Sequence, residues 1–282
     1  NTGNIPVFAD VDINSRNINA YEIKKCISKK TIAVIVVHFA GLPCEMGNIL
    51  KLTKKRKIEL IEDSAETLGA TWKKKYTGSF GIGCFSFFPT KNITTCEGGM
   101  LTTNSMERYI EIKKLIAHGI NKNKKKHFWN READLAGHNY RLPNHLAGLG
   151  ISQFKQLLKF NKQRRMIAKK YDNFFKKLSD KFYVQKVNSN LTHSYQMYSI
   201  LINSKYRNKL LYYLKKNNIE ASVHFDPPLH QQKYLKKYSK KLPNTEKLAK
   251  EIITLPIYPR LKQNDLNRIF KVIKNWYKKN KK

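Results

Sequence analysis

The chain has 282 residues, 41% hydrophobic and 11% aromatic, and its 55 Lys and Arg against 20 Asp and Glu give a formal charge of +35. That length suits one large domain or two moderate ones, and apolar residues spread along the whole chain exclude intrinsic disorder. The longest mainly apolar stretch, 32–42, is too short for a bilayer helix and is interrupted by His38, which excludes a helical membrane span.

In chain order, residues 5–12 read as a strand in mid-fold, which leads to the expectation that a further N-terminal piece precedes Asn1. Residues 1–10 lack the basic and apolar regions of a secretion signal, so the expected compartment is the cytoplasm. The run AVIVV at 33–37 predicts a fully buried strand, 46–57 a helix, and 58–63 a second strand ending on an acid, together a βαβ unit. Residues 85–88 predict a third strand and 99–103 a fourth. The stretch 143–178 predicts one long amphipathic helix or a kinked pair, with apolar positions 146, 149, 154, 157, 158, 167, 171, 174 and 175. A strand at 195–202, a helix at 206–217, a short strand at 221–225, helices at 244–254 and 263–277, and a frayed basic tail complete the reading. Functional groups in open α/β sheets collect at the carboxyl ends of strands, where Asp63 and residues 86–91 fall.

The positive charge is of one kind. Ten residues are arginine and 45 are lysine, in small clusters such as 73–75, 124–126, 236–237 and 278–282. Nucleic-acid readers lean on arginine for bidentate contacts, whereas lysine drifts freely on solvated faces, so the excess reads as composition bias rather than a nucleic-acid surface. Cys26, Cys44, Cys84 and Cys96 are widely spaced and form no CxxC pair, as expected of reduced thiols. No histidine has zinc-type spacing, so no metal is expected.

The informative block runs from Ile61-Glu62-Asp63-Ser64-Ala65-Glu66 to Phe85-Ser86-Phe87-Phe88-Pro89-Thr90-Lys91-Asn92 and on through Cys96-Glu97-Gly98-Gly99-Met100. With Gly137-His138-Asn139-Tyr140-Arg141-Leu142, Val223-His224-Phe225, Pro228-Leu229-His230 and Leu255-Pro256-Ile257-Tyr258-Pro259, it resembles the sugar aminotransferases of the DegT/DnrJ/EryC1/StrS family over nearly the whole chain. The resemblance implies a pyridoxal 5'-phosphate-dependent enzyme of the aspartate aminotransferase (type I) fold. That fold is α/β: a three-layer α/β/α large domain, here incomplete at its N-terminus, plus a small α+β C-terminal domain. The corresponding boundaries are 1–150, a connecting helix at 151–178, and 179–282.

Within the resemblance, Lys91 is the catalytic lysine. Such a lysine must lose its proton to condense with the cofactor aldehyde, and its amine can then move a proton between substrate and cofactor carbons. Asp63 is the partner of the pyridine nitrogen, keeping it protonated; read alone, it would be an acid capping the next helix. Glu66 stands beside the phenolic oxygen, where many members have glutamine and some 4-amination enzymes have glutamate. Ser86 offers a hydroxyl to the cofactor phosphate. Asn139 reaches the phosphate of the neighbouring subunit, which implies a homodimer with a shared active site. Arg141 and His224 are candidate contacts to a nucleotide sugar, though each could equally be an ordinary surface or interface residue. Gly98-Gly99 is the tight turn after the lysine.

Three departures stand out. A Ser-Gly-Thr phosphate-binding element and a stacking aromatic residue, which the family carries upstream, have no counterpart in the sequence. The turn 78–84 is one residue shorter than the family pattern, and Cys96 stands where glycine is common. The expected activity is transfer of an amino group from glutamate to a nucleotide-linked keto sugar, in the 4-keto-6-deoxy class, for amino-sugar or polysaccharide synthesis. The alternative is a truncated, inactive relative with a binding or regulatory role. A related dehydratase branch carries histidine at the lysine position, and Lys91 argues against it.

Overall fold

The computed structural model describes residues 2–121, 127–178 and 180–280. The lysine cluster at 124–126 and the last two residues of the basic tail lie outside them. The first part of the chain builds on a sheet of four strands in the order β1-β2-β5-β6. After α1 (Ala20–Cys26), capped by the Asn19 side chain, β1 (Ala33–Val37) leads through α2 (Met46–Arg56) to β2 (Glu59–Asp63). Lys57 ends α2 in a left-handed conformation (φ 52°). Two short strands, β3 (Thr71–Trp72) and β4 (Lys75–Tyr76), precede β5 (Ile82–Ser86) and β6 (Gly99–Thr102). β1, β2 and β5 are mutually parallel, and β6 returns antiparallel to β5.

The helices α1 and α2 cover one face of this sheet, where Ile23, Met46 and Ile49 pack on Val34, Val36 and Leu60. The expectation that 33–37 is fully buried is therefore corrected: the alternate residues Ile35 and Val37 are 60% and 47% exposed, because the helices lie on the other side. Three further readings change. Residues 5–12 form no strand, only an isolated bridge of Val11 to Ile18. The third strand ends at Ser86, since Phe87 and Phe88 turn away into the loop that carries Lys91. Residues 221–225 contribute only a bridge, Ser222 to Thr254.

Beyond β6, α3 (Met106–Leu115) precedes an exposed arm in which Ala117 pairs with Asn139 and Ile120 with Ala133. The long helical stretch resolves into a pair, α4 (Asn144–Phe154) and α5 (Leu157–Phe175), followed by a short 3-10 turn to Leu178. α5 bridges two cores: Leu157 packs with Phe87 and Ile93, whereas Ile167, Ala168, Tyr171 and Phe175 enter the larger C-terminal core.

That core surrounds β7 (Phe182–Val184), β9 (Tyr198–Ile202) and β10 (Ile252–Leu255), antiparallel in the order β10-β9-β7, while β8 (Leu191–Thr192) pairs instead with β3. α6 (Ser204–Lys216), α7 (Pro243–Glu251) and α8 (Gln263–Lys279) pack around it. α8 does so through Leu266, Ile269, Ile273 and Trp276, one stripe at helical spacing. The helix expected at 244–254 stops at Glu251, because Ile252–Leu255 pair residue for residue with β9 and are all buried. Among the described residues no helix is long and apolar enough to cross a membrane, and the four cysteines are free thiols.

Candidate active site

Parallel pairing brings the carboxyl ends of β1, β2 and β5 side by side, with Val37, Asp63 and Cys84 in register. The next residues of each strand supply the site. From β2, the side-chain Oδ1 of Asp63 accepts the N–H of Ala65 at 3.1 Å, which stabilises the turn leaving the strand. No helix starts there, so helix capping does not account for this acid. Three residues on, Glu66 turns back: its Oε2 accepts the N–H of Ala40 at 2.7 Å, and its Oε1 lies 3.9 Å from Lys91 Nζ. Lys91 sits in the loop after β5, its own N–H bonded to the Phe88 carbonyl at 3.0 Å.

The electrostatics tie these groups together. Burial raises the Glu66 carboxyl above the ordinary carboxylate range, the Lys91 ammonium and the Ala40 N–H oppose the rise, and the charge of Asp63 adds to it. Burial, then the charge on Lys91, lowers the His224 imidazole, while its Nδ1 lies 3.0 Å from the hydroxyl of Thr254. Asp63, Glu66, Lys91 and His224 thus share one neighbourhood although the first and last are 161 positions apart in sequence. Ser86, the last residue of β5, accepts the N–H of Phe88 at 3.3 Å and closes the same loop.

Asn139 and Arg141 are elsewhere. They lie on the exposed arm, where Arg141 Nε donates to Asn139 Oδ1 at 3.1 Å, and no hydrogen bond or ion pair joins either to Lys91, Asp63, Glu66 or Ser86. Gly98 adopts φ 146° and is packed so closely that a Cβ would stand 2.6 Å from Thr95 Oγ1 and 2.8 Å from Leu142 Cδ1, so the turn after the lysine requires glycine. A deprotonatable amine, two carboxylates and an imidazole around one loop fit the aldehyde and ring nitrogen of pyridoxal phosphate.

Sequence reasoning missed the support beneath these groups. Glu62 and His38 are both fully buried. Cys44 N–H donates to His38 Nδ1 at 3.0 Å, which leaves His38 Nε2 to donate to Glu62 Oε2 at 3.1 Å. Glu62 also accepts the N–H groups of Gly78, Phe80 and Gly81 at 2.7–3.0 Å. Burial alone would raise this carboxyl, but the bonds from His38 and from the Gly78 and Phe80 backbone hold it below its ordinary value. The turn at 78–84 is therefore pinned to β2 one residue before Asp63. Strand alternation, which sends Glu62 to the face opposite Asp63, was the one signal available for it.

Comparison with known proteins bears on the family and the fold. A model described as the DegT/DnrJ/EryC1/StrS aminotransferase family matches residues 1–274. The GDP-perosamine synthase of Escherichia coli O157:H7 is 35% identical over 278 residues, covering 98% of this chain and 74% of its own length. Among solved structures, PseC of Helicobacter pylori, an aminotransferase involved in the biosynthesis of pseudoaminic acid, is 29% identical with a TM-score of 0.90, covering 98% of this chain and 75% of its own. The putative sugar aminotransferase Spr1654 of Streptococcus pneumoniae, solved in its PLP form, shares the fold with a TM-score of 0.89 at 23% identity, over 98% of this chain and 76% of its own.

Proposed function

The chain belongs to the DegT/DnrJ/EryC1/StrS aminotransferase family, and from that membership we propose that it transfers the amino group of glutamate to a nucleotide-linked keto sugar of the 4-keto-6-deoxy class. The observation that carries the reading is Lys91 Nζ, held 3.9 Å from Glu66 in a loop that follows the strand next to the one ending in Asp63. Pyridoxal 5'-phosphate, when bound, supplies the aldehyde that carries the amino group and a ring that draws electrons from the substrate carbon.

The protein's own groups do the rest. Lys91 removes the proton from the amino-donor carbon and, in the reverse sense, delivers one to the acceptor carbon. With the cofactor bound, Asp63 would hold a proton on the ring nitrogen, and Glu66, its acidity weakened by burial, would hold the phenolic oxygen. Ser86 binds the phosphate. His224, its proton affinity lowered by burial and by Lys91, offers a neutral ring to a sugar hydroxyl. Asn139 and Arg141, exposed on the arm, serve the site of a second copy in a homodimer: Asn139 at the cofactor phosphate, Arg141 at the substrate diphosphate. The two cores bridged by α5 support a division into a cofactor-binding part (1–150), a connecting helix (151–178) and a small C-terminal part (179–282).

The test is chemical trapping. The protein incubated with pyridoxal phosphate and reduced with borohydride is expected to carry a pyridoxyl group on Lys91, and to convert glutamate to 2-oxoglutarate as a keto-sugar nucleotide is aminated. Lys91→Ala is expected to lose the label and to lower turnover by about 10²–10⁴-fold. A label on another lysine, or unchanged turnover in Lys91→Ala, overturns the reading.

A further inference from the structure

We propose that Asn161 of α5 and Gln196, just before β9, are positioning residues that fix where Lys91 presents its amine; the inference rests on Lys91 being the reactive amine of the proposed function. The loop from Phe87 to Gly98 belongs to no helix or strand, and its backbone bonds, Phe87 N–H to Gly98, Lys91 N–H to Phe88, Thr95 N–H to Phe87 and Glu97 N–H to Thr95, close it on itself without tying it to any other described segment. Side-chain amides grip it on both sides of the lysine. On one side, Gln196 Nε2 donates to the Thr90 carbonyl at 3.0 Å. On the other, Asn92 Nδ2 donates to Asn161 Oδ1 at 2.6 Å and to the Ser194 carbonyl at 3.1 Å, while Asn161 Nδ2 donates to the Leu68 carbonyl at 2.9 Å.

The gripping segment is itself anchored to the opposite wall of the site. Ser194 donates from its N–H to the Gly41 carbonyl at 3.0 Å and from Oγ to the Glu66 carbonyl at 2.9 Å, and the Met197 N–H reaches the Ala40 carbonyl at 3.1 Å. Arg164 Nη1 holds the carbonyls of Tyr195, Gln196 and Ile257 at 2.9–3.2 Å. Lys91 and Glu66 are therefore braced against one common support. The brace is polar where apolar side chains would pack more cheaply. Asn92, Asn161 and Gln196 are all buried, and Asn92 Oδ1 and Gln196 Oε1 lack any hydrogen-bond partner. The amide donors are nevertheless all spent on distant segments, and the residues those bonds tie down, Thr90 and Asn92, are the two that flank Lys91.

The test is competitive acetylation of the full chain with isotope-labelled acetic anhydride across a pH series, read lysine by lysine in the parent, Asn161→Leu and Gln196→Met. In both variants the labelling rate or midpoint of Lys91 is expected to change by about threefold or more, while exposed Lys51 follows the parent. Gln196→His, whose ring N–H can reach the Thr90 carbonyl, is expected to restore the parent profile. A Lys91 profile unchanged in folded Gln196→Met overturns the proposal, whatever the fate of Asn161→Leu. So does loss of the fold in both variants, since these residues would then define the fold and not the lysine. Pyridoxyl trapped on a lysine other than Lys91 instead overturns the proposed function, and the acetylation profile still decides the positioning.

Discussion

Cys96 sits in the loop after Lys91 with φ 66°, its N–H bonded to Thr94 Oγ1 at 2.8 Å. The left-handed conformation favours glycine at this position: a Cβ there costs about 1–2 kcal/mol, against about 0.5–1 kcal/mol of extra chain entropy for glycine. Cys96→Gly is accordingly expected to stabilise the protein by about 0.5–1 kcal/mol, seen as a higher urea midpoint at an unchanged slope. At this scale the sequence was informative where chemistry is local. Lys91 and Asp63 stand out through their immediate neighbours, whereas the buried Glu62–His38 pair is assembled from residues 24 positions apart that carry no motif.

Helix α7 has no cap of its own, since Leu242 offers no side-chain acceptor. The acceptor comes from the start of the chain. Asp10 takes the N–H of Asn244 at 3.0 Å and the N–H and hydroxyl of Thr245 at 2.8 and 2.6 Å. Burial raises this carboxyl, but the bonds from Thr245 and Asn244 outweigh it and leave Asp10 below its ordinary value. Asp10→Ala is expected to cost about 1–2 kcal/mol, the usual worth of a helix N-cap, and to speed amide exchange in the first turn of α7. Elements were legible in the sequence wherever one period ran unbroken, as in α2, α6 and α8. They were misjudged at junctions: residues 252–254 continue a helical pattern, yet pairing with β9 makes them strand.

Across the whole molecule, the stretch 193–197 joins the C-terminal part to the site, and one of its residues carries a pH dependence. His193 is buried against the Tyr195 ring, with centroids 3.7 Å apart, and its Nδ1 accepts the Tyr195 N–H at 2.9 Å. Burial lowers its pKa from the ordinary 6.5 to about 3. The unfolded chain therefore takes up this proton first as pH falls. The stability His193 provides is complete above about pH 6.5 and is lost progressively down to about pH 3, at up to about 1.4 kcal/mol per pH unit. Urea midpoints are expected to fall from pH 6.5 to 5, a window to which the lowered His224 also contributes, and His193→Asn is expected to reduce the slope over that interval. An equal slope in the variant would remove His193 as the source.

The sequence by itself determined the family and most of the strand and helix alternation, because propensity, hydrophobic period and the contiguous motif around Asp63 and Lys91 are written in neighbouring residues. Only the tertiary structure decided that β1 buries one face and bares Ile35 and Val37. Only it, too, brought Asn161 and Gln196 to the flanks of Lys91 through bonds spanning 69 and 106 residues. Single hydrogen bonds between distant amides leave no period or spacing in a sequence, so the motif was legible while the side chains that bond to its flanks were not.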